Sequence, residues 1–439
     1  MKTPDWSTLL DAVREAPSFA LTGRVQEMVG LVISSQGPEC AVGRVCTIDL
    51  PPPEGAITAE VVGFRQGQVF LMPYGEVRGI RPQARVCLQQ REATVPVGEA
   101  LLGRVVDGLG QPLDGKGPIV ARKFYPLYAK PLNPCTRESI REPVDVGIRA
   151  INGLLTIGRG QRIGIFAGSG VGKSTLLGMM ARFTRADINI IALVGERGRE
   201  VKEFLEKDLG TEGLTRSCVV AATSDTPPLA RLRGAYLATT IAEYFRDQGL
   251  NVLLLFDSLT RFAMAAREIG LAIGEPPTAR GYTPSVFARL PGLLERAGAF
   301  QGKGSITAIY TVLVEGDDLL EPIADATRAI LDGHIVLSRE LADRGHYPAI
   351  DILGSVSRLM PQVAAPEQLR WREALVRVLA AYRQAEDLVN INAYVKGSNP
   401  EIDYALEKIG AVNHYLRQGM DEGVSLSQAI KELQGIFAS

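Results

Sequence analysis

The chain reads QRIGIFAGSGVGKSTLLGMM from Gln161 to Met180, so that an apolar run meets a glycine-rich turn and then a helix-like pattern. A strand, a glycine loop and a helix in this order predict a phosphate-binding loop. Gly168, Gly170 and Gly172 permit the backbone conformations that turn successive N–H groups inward, and the following helix adds the positive end of its dipole. The stretch therefore predicts a nest for polyphosphate within a domain of sheet and helices.

The residues after the glycines supply the chemistry of such a nest. Lys173 can reach the terminal phosphates, and the hydroxyl of Ser174 can ligate a magnesium ion. The pattern departs from the usual one at Ala167, where a glycine is expected. A chance glycine turn is the alternative, and the strand and helix patterns on either side argue against it. The predicted nucleotide contacts are Gly168, Ser169, Gly170, Val171, Gly172, Lys173, Ser174 and Thr175.

Length and composition indicate several globular domains. The chain has 439 residues, which is too long for one compact core. Its 46% hydrophobic and 22% charged residues are typical of a globular protein. A formal net charge of -1 gives no bulk attraction to nucleic acid or to an anionic membrane. The apolar runs are far shorter than a membrane span, and the N-terminus lacks the basic-then-apolar layout of a secretory signal. We therefore expect a cytoplasmic protein.

Four segments differ in their patterns. Residues 1–20 place apolar residues at helical spacing, which predicts a short amphipathic helix that either docks a partner or packs on the next domain. Residues 21–94 contain short β-rich runs such as Val29–Ile33, broken by glycine and proline, which predict a small β-barrel. Residues 95–365 alternate strand-like runs with helical patterns, which predicts a mostly parallel sheet covered by helices. Residues 366–439 lose the strand runs and predict a helical domain.

Two acidic residues follow apolar runs in the central segment. Asp257 ends the run Asn251–Asp257, the arrangement of a Walker B aspartate that holds magnesium, although a strand-end aspartate can also simply cap a helix. Glu196 follows the run Ile188–Val194 and is a candidate to polarise the attacking water. Local chemistry does not separate it from Glu200 in the same charged turn. Because parallel sheets place ligands at the carboxyl ends of their strands, we expect these acids to face the phosphates.

With these features the chain resembles the family of rotary ATP synthase catalytic subunits, and within it the ATPases of type III protein export. Pro348–Ser357 matches the family signature P-x-[ILV]-D-x3-S-x-S, and Gly195–Glu200 and Asp257–Phe262 match its catalytic segments. The strings AEYFRDQG, GEPP and YTVLVEGDD look like the export branch. The resemblance covers nearly the whole chain. It implies a small N-terminal β-barrel, a RecA-like central ATPase domain and a C-terminal helical domain.

The resemblance also implies roles for individual residues. In that family the glutamate of the GER segment is the catalytic carboxylate, which falls on Glu196. The arginine after S-x-S, here Arg358, reaches into the neighbouring subunit's site, and such an arginine finger is worth about 10³–10⁵ in rate in other nucleotide hydrolases. Tyr347 falls where the family stacks an aromatic ring on adenine, with a core tyrosine as the alternative. The implied catalytic residues are Lys173, Glu196, Arg197, Arg261 and Arg358, the implied metal ligands are Ser174 and Asp257, and the implied cofactors are ATP and Mg²⁺.

The family further implies a six-membered ring with nucleotide at the subunit interfaces. Because the chain contains both Glu196 and Arg358, a homohexamer could be active without a second type of subunit. By resemblance, the N-terminal region would bind a stator-like regulatory protein, and the C-terminal domain would face a central stalk protein and chaperone–substrate complexes. The ring would work at a membrane export gate, peripheral to the inner membrane. We expect Mg-ATP hydrolysis coupled to the export of flagellar components, because residues 166–180 look more flagellar than injectisome-like.

Other functions share parts of the pattern. An injectisome secretion ATPase is one alternative, because residues 166–180 favour the flagellar type over it by only a small margin. A rotary ion-pump subunit would need a stoichiometric partner chain and a membrane sector. A hexameric RNA translocase would need a basic, aromatic-rich groove, which the net charge of -1 and the few aromatic residues of residues 21–94 disfavour, so we expect no nucleic-acid partner. A non-catalytic ring subunit is disfavoured because Lys173, Glu196, Asp257 and Arg358 occur together.

Overall fold

The computed structural model describes residues 20–89, 93–314, 316 and 318–438. The described residues divide into two compact units, one within Met1–Thr94 and Ile269–Glu275 and the other within Val95–Glu268 and Pro276–Ser439. The helix predicted within residues 1–20 lies outside the described residues, except for residue 20. Across the described part of the chain, no helix combines the length and the apolar composition that a bilayer crossing requires.

The first unit contains a closed antiparallel barrel. Its strands are β1 (Thr22–Val29), β2 (Val32–Gln36), β3 (Val45–Asp49), β4 (Ala56–Arg65), β5 (Gln68–Pro73) and β6 (Arg85–Leu88), in the order β1-β2-β5-β4-β3-β6. Fully buried apolar residues, among them Ile33, Ile48 and Leu71, fill its interior. The run Val29–Ile33, which reads as one β-rich segment, instead contains the turn between β1 and β2, because the chain reverses at residues 30 and 31.

The second unit contains a nine-stranded sheet. Its strands are β8 (Arg104–Val106), β12 (Arg162–Ala167), β13 (Ile188–Val194), β14 (Ser217–Ala222), β15 (Asn251–Asp257), β16 (Gly298–Ala299), β17 (Ser305–Leu313), β18 (Gly333–Leu337) and β19 (Ile350–Ser357). The order is β19-β18-β12-β17-β15-β13-β14-β8, with β16 on β17. All pairs are parallel except β18–β19 and β16–β17. Two small pairs join β7 (Thr94–Val97) to β9 (Lys123–Pro126) and β10 (Pro143–Val144) to β11 (Ile157–Gly158).

Helices alternate with these strands and then continue alone to the C-terminus. They are α1 (Arg149–Leu154), α2 (Lys173–Phe183), α3 (Gly198–Glu203), α4 (Gly210–Thr215), α5 (Pro228–Asp247), α6 (Leu259–Ala272), α7 (Pro284–Leu294), α8 (Pro322–Ile330), α9 (Arg339–Asp343), α10 (Met360–Val363), α11 (Pro366–Asn390), α12 (Pro400–Leu416) and α13 (Leu426–Phe437). A π-helical turn spans Phe204–Leu209, and short 3₁₀ turns span Glu99–Leu101, Pro134–Thr136 and Ala279–Gly281. The predicted fold class, with a barrel, a mostly parallel sheet and a helical C-terminal region, is confirmed.

Burial explains why the central strands could be recognised from the sequence. All seven residues of β13 and six of the seven residues of β15 are buried. Strands that are buried on both faces read as continuous apolar runs rather than as alternating patterns. The C-terminal helices carry their own start signals: the side chain of Asn399 accepts from the N–H groups of Glu401 and Ile402 at the start of α12.

Candidate active site

The glycine loop connects β12 to α2. β12 ends at Ala167, and α2 begins at Lys173. Gly170 and Gly172 adopt φ angles of 81° and 89°, and such left-handed conformations favour glycine because it has no Cβ. Gly168 does not adopt a positive φ. Two of the three predicted glycines therefore form the turn through their backbone conformation, directly before the positive end of the helix dipole.

A cavity of about 560 Å³ opens over this loop. Glu196 and Arg197, which follow β13, and Arg261 of α6 also line it. The side chain of Val171 is buried in the core, so that only its backbone could contact a nucleotide. The volume lies in the range of sites that bind small ligands. The loop residues that line the cavity are Gly168, Ser169, Gly170, Gly172, Lys173, Ser174 and Thr175.

Lys173 lies at the centre of a charge cluster. Its Nζ lies 2.5 Å from Oδ1 of Asp257 and 3.6 Å from Oε1 of Glu196. The hydroxyl of Thr311 donates to the same oxygen of Asp257 at 2.7 Å. Glu196 follows β13, Asp257 ends β15 and Thr311 lies in β17, and these three strands are neighbours in the sheet. Their carboxyl ends therefore bring together the lysine and both predicted acids at the edge where parallel sheets bind ligands.

Glu196 is a poorly solvated acid. Its side chain is 13% exposed, and within the described part of the chain its Oε1 has no hydrogen-bond partner. Burial, and then the charge of Asp257, raise the pKa of Glu196 to about 7, although Lys173 acts in the opposite direction. The hydrogen bond from Glu196 lowers the pKa of Glu200, so the proton of this pair rests on Glu196. Glu196 lies 3.6 Å from Lys173, whereas Glu200 is 39% exposed and pairs with Arg197. Its place beside the lysine in the cleft makes Glu196 the better candidate for a general base.

The two additional arginines occupy different surroundings. The side chain of Arg197 is 73% exposed, and its Nη1 lies 3.5 Å from Glu200. Arg261 packs over Gly195, where a Cβ would lie only 2.7 Å from the Cβ of Arg261, so this close approach requires glycine. The Nε of Arg261 is buried, and no hydrogen-bond partner for it lies among the residues that the structure describes. Both arginines line the cavity, and the unpaired nitrogen makes Arg261 the better candidate for an anionic ligand.

Tyr347 lies beside the phosphate loop. Two of its ring atoms lie 3.5 Å from the position that a Cβ of Gly172 would occupy. The residue is 46% exposed, which excludes the alternative of a core tyrosine. It also lines a second cavity of about 400 Å³, which C-terminal residues including Gln418 border. The backbone N–H of Gln418 donates to the carbonyl of Tyr347 at 2.9 Å. An exposed ring in this position can stack on a flat base.

Arg358 lies far from the other candidate residues. It follows β19, whose last residue, Ser357, pairs with Gly333 at the first residue of β18. β18 and β12 are parallel, so Arg358 lies at the amino edge of the sheet and the glycine loop lies at the carboxyl edge. The six residues of β12 span the distance between the two edges. At about 3.3 Å per residue, that is roughly 17 Å.

Several residues near the charge cluster have no marker in the sequence. Thr311 is one threonine within an apolar strand, and only the strand order shows that it neighbours Asp257. Thr260, Glu321 and Arg339 also line the cavity over the loop. Hydroxyl groups inside an apolar run were the available signal for Thr311, but the sequence alone does not give the order of the strands.

The oxygen donors at the loop suit magnesium. Mg²⁺ takes oxygen ligands, keeps several waters and is usually held by one or two carboxylates together with substrate phosphates. The hydroxyl of Ser174 and the carboxylate of Asp257 are such donors, and the unpartnered Oε1 of Glu196 can accept from a metal-bound or attacking water. The residues present therefore fit an Mg²⁺ site.

Protein-family models match most of the chain. The nucleotide-binding domain of the ATP synthase alpha/beta family matches residues 147–357, and the β-barrel domain of the same family matches residues 25–87. The T3SS EscN ATPase C-terminal domain matches residues 364–435.

Individual proteins match over almost their full lengths. The flagellum-specific ATP synthase of Pseudomonas aeruginosa is 55% identical over 438 residues, which cover 98% of this chain and 97% of the relative. The type 3 secretion system ATPase of Xanthomonas euvesicatoria is 50% identical and covers 96% and 95%. The structure of the assembled ATPase EscN from the enteropathogenic E. coli type III secretion system superimposes with a TM-score of 0.89 at 46% identity, covering 94% of this chain and 99% of EscN. EscN in complex with its central stalk EscO gives a TM-score of 0.87 at the same identity and coverage.

Proposed function

The chain belongs to the type III export ATPases of the ATP synthase alpha/beta family, and on that premise we propose that it hydrolyses Mg-ATP to drive the export of flagellar components. The observation that carries the chemistry is the cluster of Lys173 with Glu196 and Asp257 at the carboxyl edge of the sheet, where Lys173 and Glu196 line the cavity over the glycine loop. An ATPase needs a cation for the phosphates, a second hold on magnesium and a group that orients water. These three residues supply those functions.

The reaction is the attack of a water oxygen on the γ-phosphorus with loss of ADP. Glu196 in its ionised form accepts a hydrogen bond from that water and takes its proton as the new P–O bond forms. Lys173 and Arg261 balance the charge on the phosphate oxygens, and the backbone N–H groups of the glycine loop hold the polyphosphate. Bound Mg²⁺, held by Ser174 and Asp257, would neutralise further phosphate charge. Tyr347 stacks on the adenine and fixes the other end of the nucleotide.

Arg358 completes the site of a neighbouring subunit. Its place at the amino edge, roughly 17 Å along β12 from its own loop, supports a role outside its own site. The catalytic unit is then a ring in which each subunit offers its arginine to the next, a heterologous contact that closes by rotation. We assign six identical subunits to this ring. The carboxylate of one chain and the arginine of another form each active site.

A solved relative supports the proposed stalk partner. EscN, which superimposes along most of this chain, binds a central stalk, EscO, and we assign a corresponding stalk protein and chaperone–substrate complexes to the C-terminal helices. A stator-like regulator binds the N-terminal region, and the ring works in the cytoplasm, peripheral to the inner membrane at the export gate. The flagellar assignment is supported by a relative that bears the flagellar name at 55% identity, against 50% for a secretion relative.

The ring mechanism is tested by measuring the ATPase rate per subunit against protein concentration for the parent, Arg358→Ala and the control Arg159→Ala. Arg159 is a partly exposed arginine that pairs with Glu142 at 2.8 Å. We expect the rate of the parent and the control to rise as larger assemblies form. Arg358→Ala should assemble and bind nucleotide but lose about 10³-fold in rate. Fully active monomers, or an ATPase rate that Arg358→Ala leaves unchanged, would contradict the proposal that two subunits share each active site.

The export system is tested in cells. The chain is expressed in a bacterium that lacks its own flagellar export ATPase, with Glu196→Gln as the inactive control. Swimming in soft agar restored by the parent and not by the control supports the flagellar assignment. Restoration of injectisome secretion in a strain that lacks its secretion ATPase, without restored swimming, would replace it with the injectisome alternative.

A further inference from the structure

Gln161 connects the two segments on either side of Arg358. The side chain is fully buried. Its Nε2 donates to the backbone carbonyl of Asp332 at 3.1 Å and lies 3.3 Å from the hydroxyl of Ser357. Its Oε1 accepts from the N–H of Gly158 at 2.7 Å. Every polar group of this amide is therefore paired, and two of its contacts reach the immediate surroundings of Arg358.

Asp332 also fixes the surroundings of Arg358, through both its backbone carbonyl and its carboxylate. The carbonyl that accepts from Gln161 also accepts from the backbone N–H of Arg358 at 3.1 Å. The carboxylate accepts from Arg162 through the backbone N–H at 3.1 Å, Nε at 3.1 Å and Nη2 at 3.2 Å. Arg162 also pairs with Glu295 at 2.6 Å, and its side chain is only 12% exposed. A charge-assisted, multiply bonded pair of this kind fixes geometry as well as supplying energy.

The guanidinium of Arg358 rests on the end of a helix. Nη1 donates to the carbonyl of Leu331 and Nη2 to the carbonyl of Arg328, both at 3.3 Å. These carbonyls lie at the C-terminal end of α8, where the helix dipole is negative and attracts a cation. The chain then continues from Leu331 into Asp332. The backbone and the side chain of Arg358 are therefore both held by the segment that Gln161 and Arg162 fix.

Gln161 directly precedes the strand that carries the glycine loop, and Arg162 begins it. Arg162 is the first residue of β12, and Ala167 at its other end precedes the loop. β12 is hydrogen-bonded on both sides, to β17 and to β18. A strand that is hydrogen-bonded on both sides is held in place along its length, so a lost contact at its amino end leaves the loop at its other end in position. One strand thus connects the loop for the chain's own nucleotide to the arginine offered to the next site.

We propose that Gln161 and Asp332 are positioning residues for Arg358, which hold the arginine at the amino end of β12 so that it meets the nucleotide of the neighbouring subunit. This inference rests on the proposed function, in which Arg358 acts in the next subunit's site. Neither residue lines the cavity over the glycine loop. Loss of either one misplaces Arg358 without altering the glycine loop, Glu196 or Asp257 of the same chain.

The first measurement compares Gln161→Met, Asp332→Asn and Glu142→Gln with the parent. Methionine keeps the length of the side chain but removes its hydrogen bonds, and the control residue Glu142 is 65% exposed and pairs with Arg159 at 2.8 Å. We expect kcat to fall about 10²-fold for the first two variants, the size of effect that small misplacements produce. The affinity for a fluorescent ATP analogue, the KM and the ring size should stay at parent values, as should all properties of Glu142→Gln. Loss of nucleotide affinity or of ring formation in both variants overturns the inference.

Mixed rings separate a positioning role from a structural one. Glu196→Gln chains have a correctly placed Arg358 but no catalytic carboxylate. Gln161→Met chains keep the carboxylate of Glu196 but have a misplaced Arg358. Equal mixtures of the two impaired proteins should regain activity at the interfaces where a normal Glu196 meets a correctly placed Arg358. The mixture of Glu196→Gln with Arg358→Ala is the reference and should regain activity in the same way.

The two mixtures also distinguish the two possible failures. If the Arg358→Ala reference regains activity and the Gln161→Met and Asp332→Asn mixtures do not, the defect lies in the chain's own site and the positioning role is wrong. If the reference mixture itself stays inactive, the shared site of the proposed function fails, and the positioning role falls with it. Should Gln161→Met not fold, Asp332→Asn alone decides between these outcomes.

Discussion

The ammonium group of Lys173 and the carboxylate of Asp257 form an ion pair in which Nζ and Oδ1 are 2.5 Å apart and the two side chains are 11% and 4% exposed. Burial alone would lower the pKa of Lys173, but Asp257 and then Glu196 outweigh it, and the pKa is raised. The lysine therefore stays charged at neutral pH, as a phosphate ligand must. The same pair makes the loop sensitive to the loss of either charge, because a single buried charge is costly.

Replacing Lys173 with methionine tests this dependence. Lys173→Met leaves Asp257 buried without a cation, so we expect the free energy of unfolding to fall by about 3–5 kcal/mol and nucleotide affinity to be lost. The measurements are urea unfolding and titration with a fluorescent ATP analogue. Lys202→Met is the matched control: Lys202 is 72% exposed and pairs with Glu206 at 3.8 Å, and its loss should cost about 0–1 kcal/mol.

A double substitution distinguishes the charge effect from lost packing. Lys173→Met with Asp257→Asn removes both charges, so stability should return toward the parent value while nucleotide binding stays lost. If the double variant is as unstable as the single one, packing rather than the unpaired carboxylate explains the loss.

Glu196→Gln should separate binding from turnover. The amide is nearly isosteric and does not remove the glycine loop, so ATP affinity should stay within about a factor of two, while kcat falls by about 10²–10⁴ because the amide is no base. Glu200→Gln is the comparison, since Glu200 is not the acid beside Lys173, and we expect it to lower kcat far less. If a folded Glu196→Gln protein keeps near-normal turnover and Glu200→Gln loses it, the catalytic carboxylate is Glu200 rather than Glu196.

The local part of this architecture could be predicted from the sequence. The continuous apolar runs that become β13 and β15 reflect burial on both faces, which is a property of each strand by itself. The glycine loop and the placement of Glu196 and Asp257 at carboxyl ends follow from the same local pattern. The positions of these residues can be predicted because each is determined by its neighbours along the chain.

The non-local part could not be predicted in this way. Thr311 bonds to Asp257 only because β17 lies beside β15, and strand order is a property of the whole sheet. The separation of Arg358 from its own loop depends on β19 running antiparallel to β18, which the signature at Pro348–Ser357 does not reveal. Pairing between distant segments decides both facts, and no local pattern encodes that pairing.

The ring of Tyr347 should contribute to nucleotide affinity through stacking. Tyr347→Ala removes the surface beside Gly172, and we expect the KM for ATP to rise about tenfold, in line with the 1–3 kcal/mol per stacked base seen for aromatic side chains. Tyr347→Phe keeps the ring and should behave like the parent. Steady-state kinetics measure both. An equal rise in KM for the two variants would mean that the hydroxyl, not the ring, contacts the nucleotide.

The raised pKa of Glu196 predicts the pH dependence of activity. Burial and the charge of Asp257 raise this pKa to about 7, and only the ionised carboxylate can accept a proton from water. We expect kcat/KM, which reports the free enzyme, to fall about tenfold per pH unit below the pKa of Glu196 and to level off above it. A kcat/KM that is flat from pH 6 to pH 8 in the parent would contradict this assignment, and the residual rate of Glu196→Gln should lack the acidic limb.

The same shift predicts that stability falls as pH rises, whereas a carboxylate whose pKa is lowered on folding makes stability rise with pH. The pKa of Glu196 is raised from 4.5 to about 7 on folding, so between these values the folded protein holds a proton that the unfolded chain has lost. Stability then falls as pH rises through this window, because the folded state binds more protons. Glu196→Gln has no such group, while its amide can still donate to Glu200. We therefore expect the thermal unfolding midpoint of the parent to drop relative to that of Glu196→Gln as pH rises from about 4.5 to about 7. A constant difference between the two proteins across that range would show that Glu196 does not titrate there.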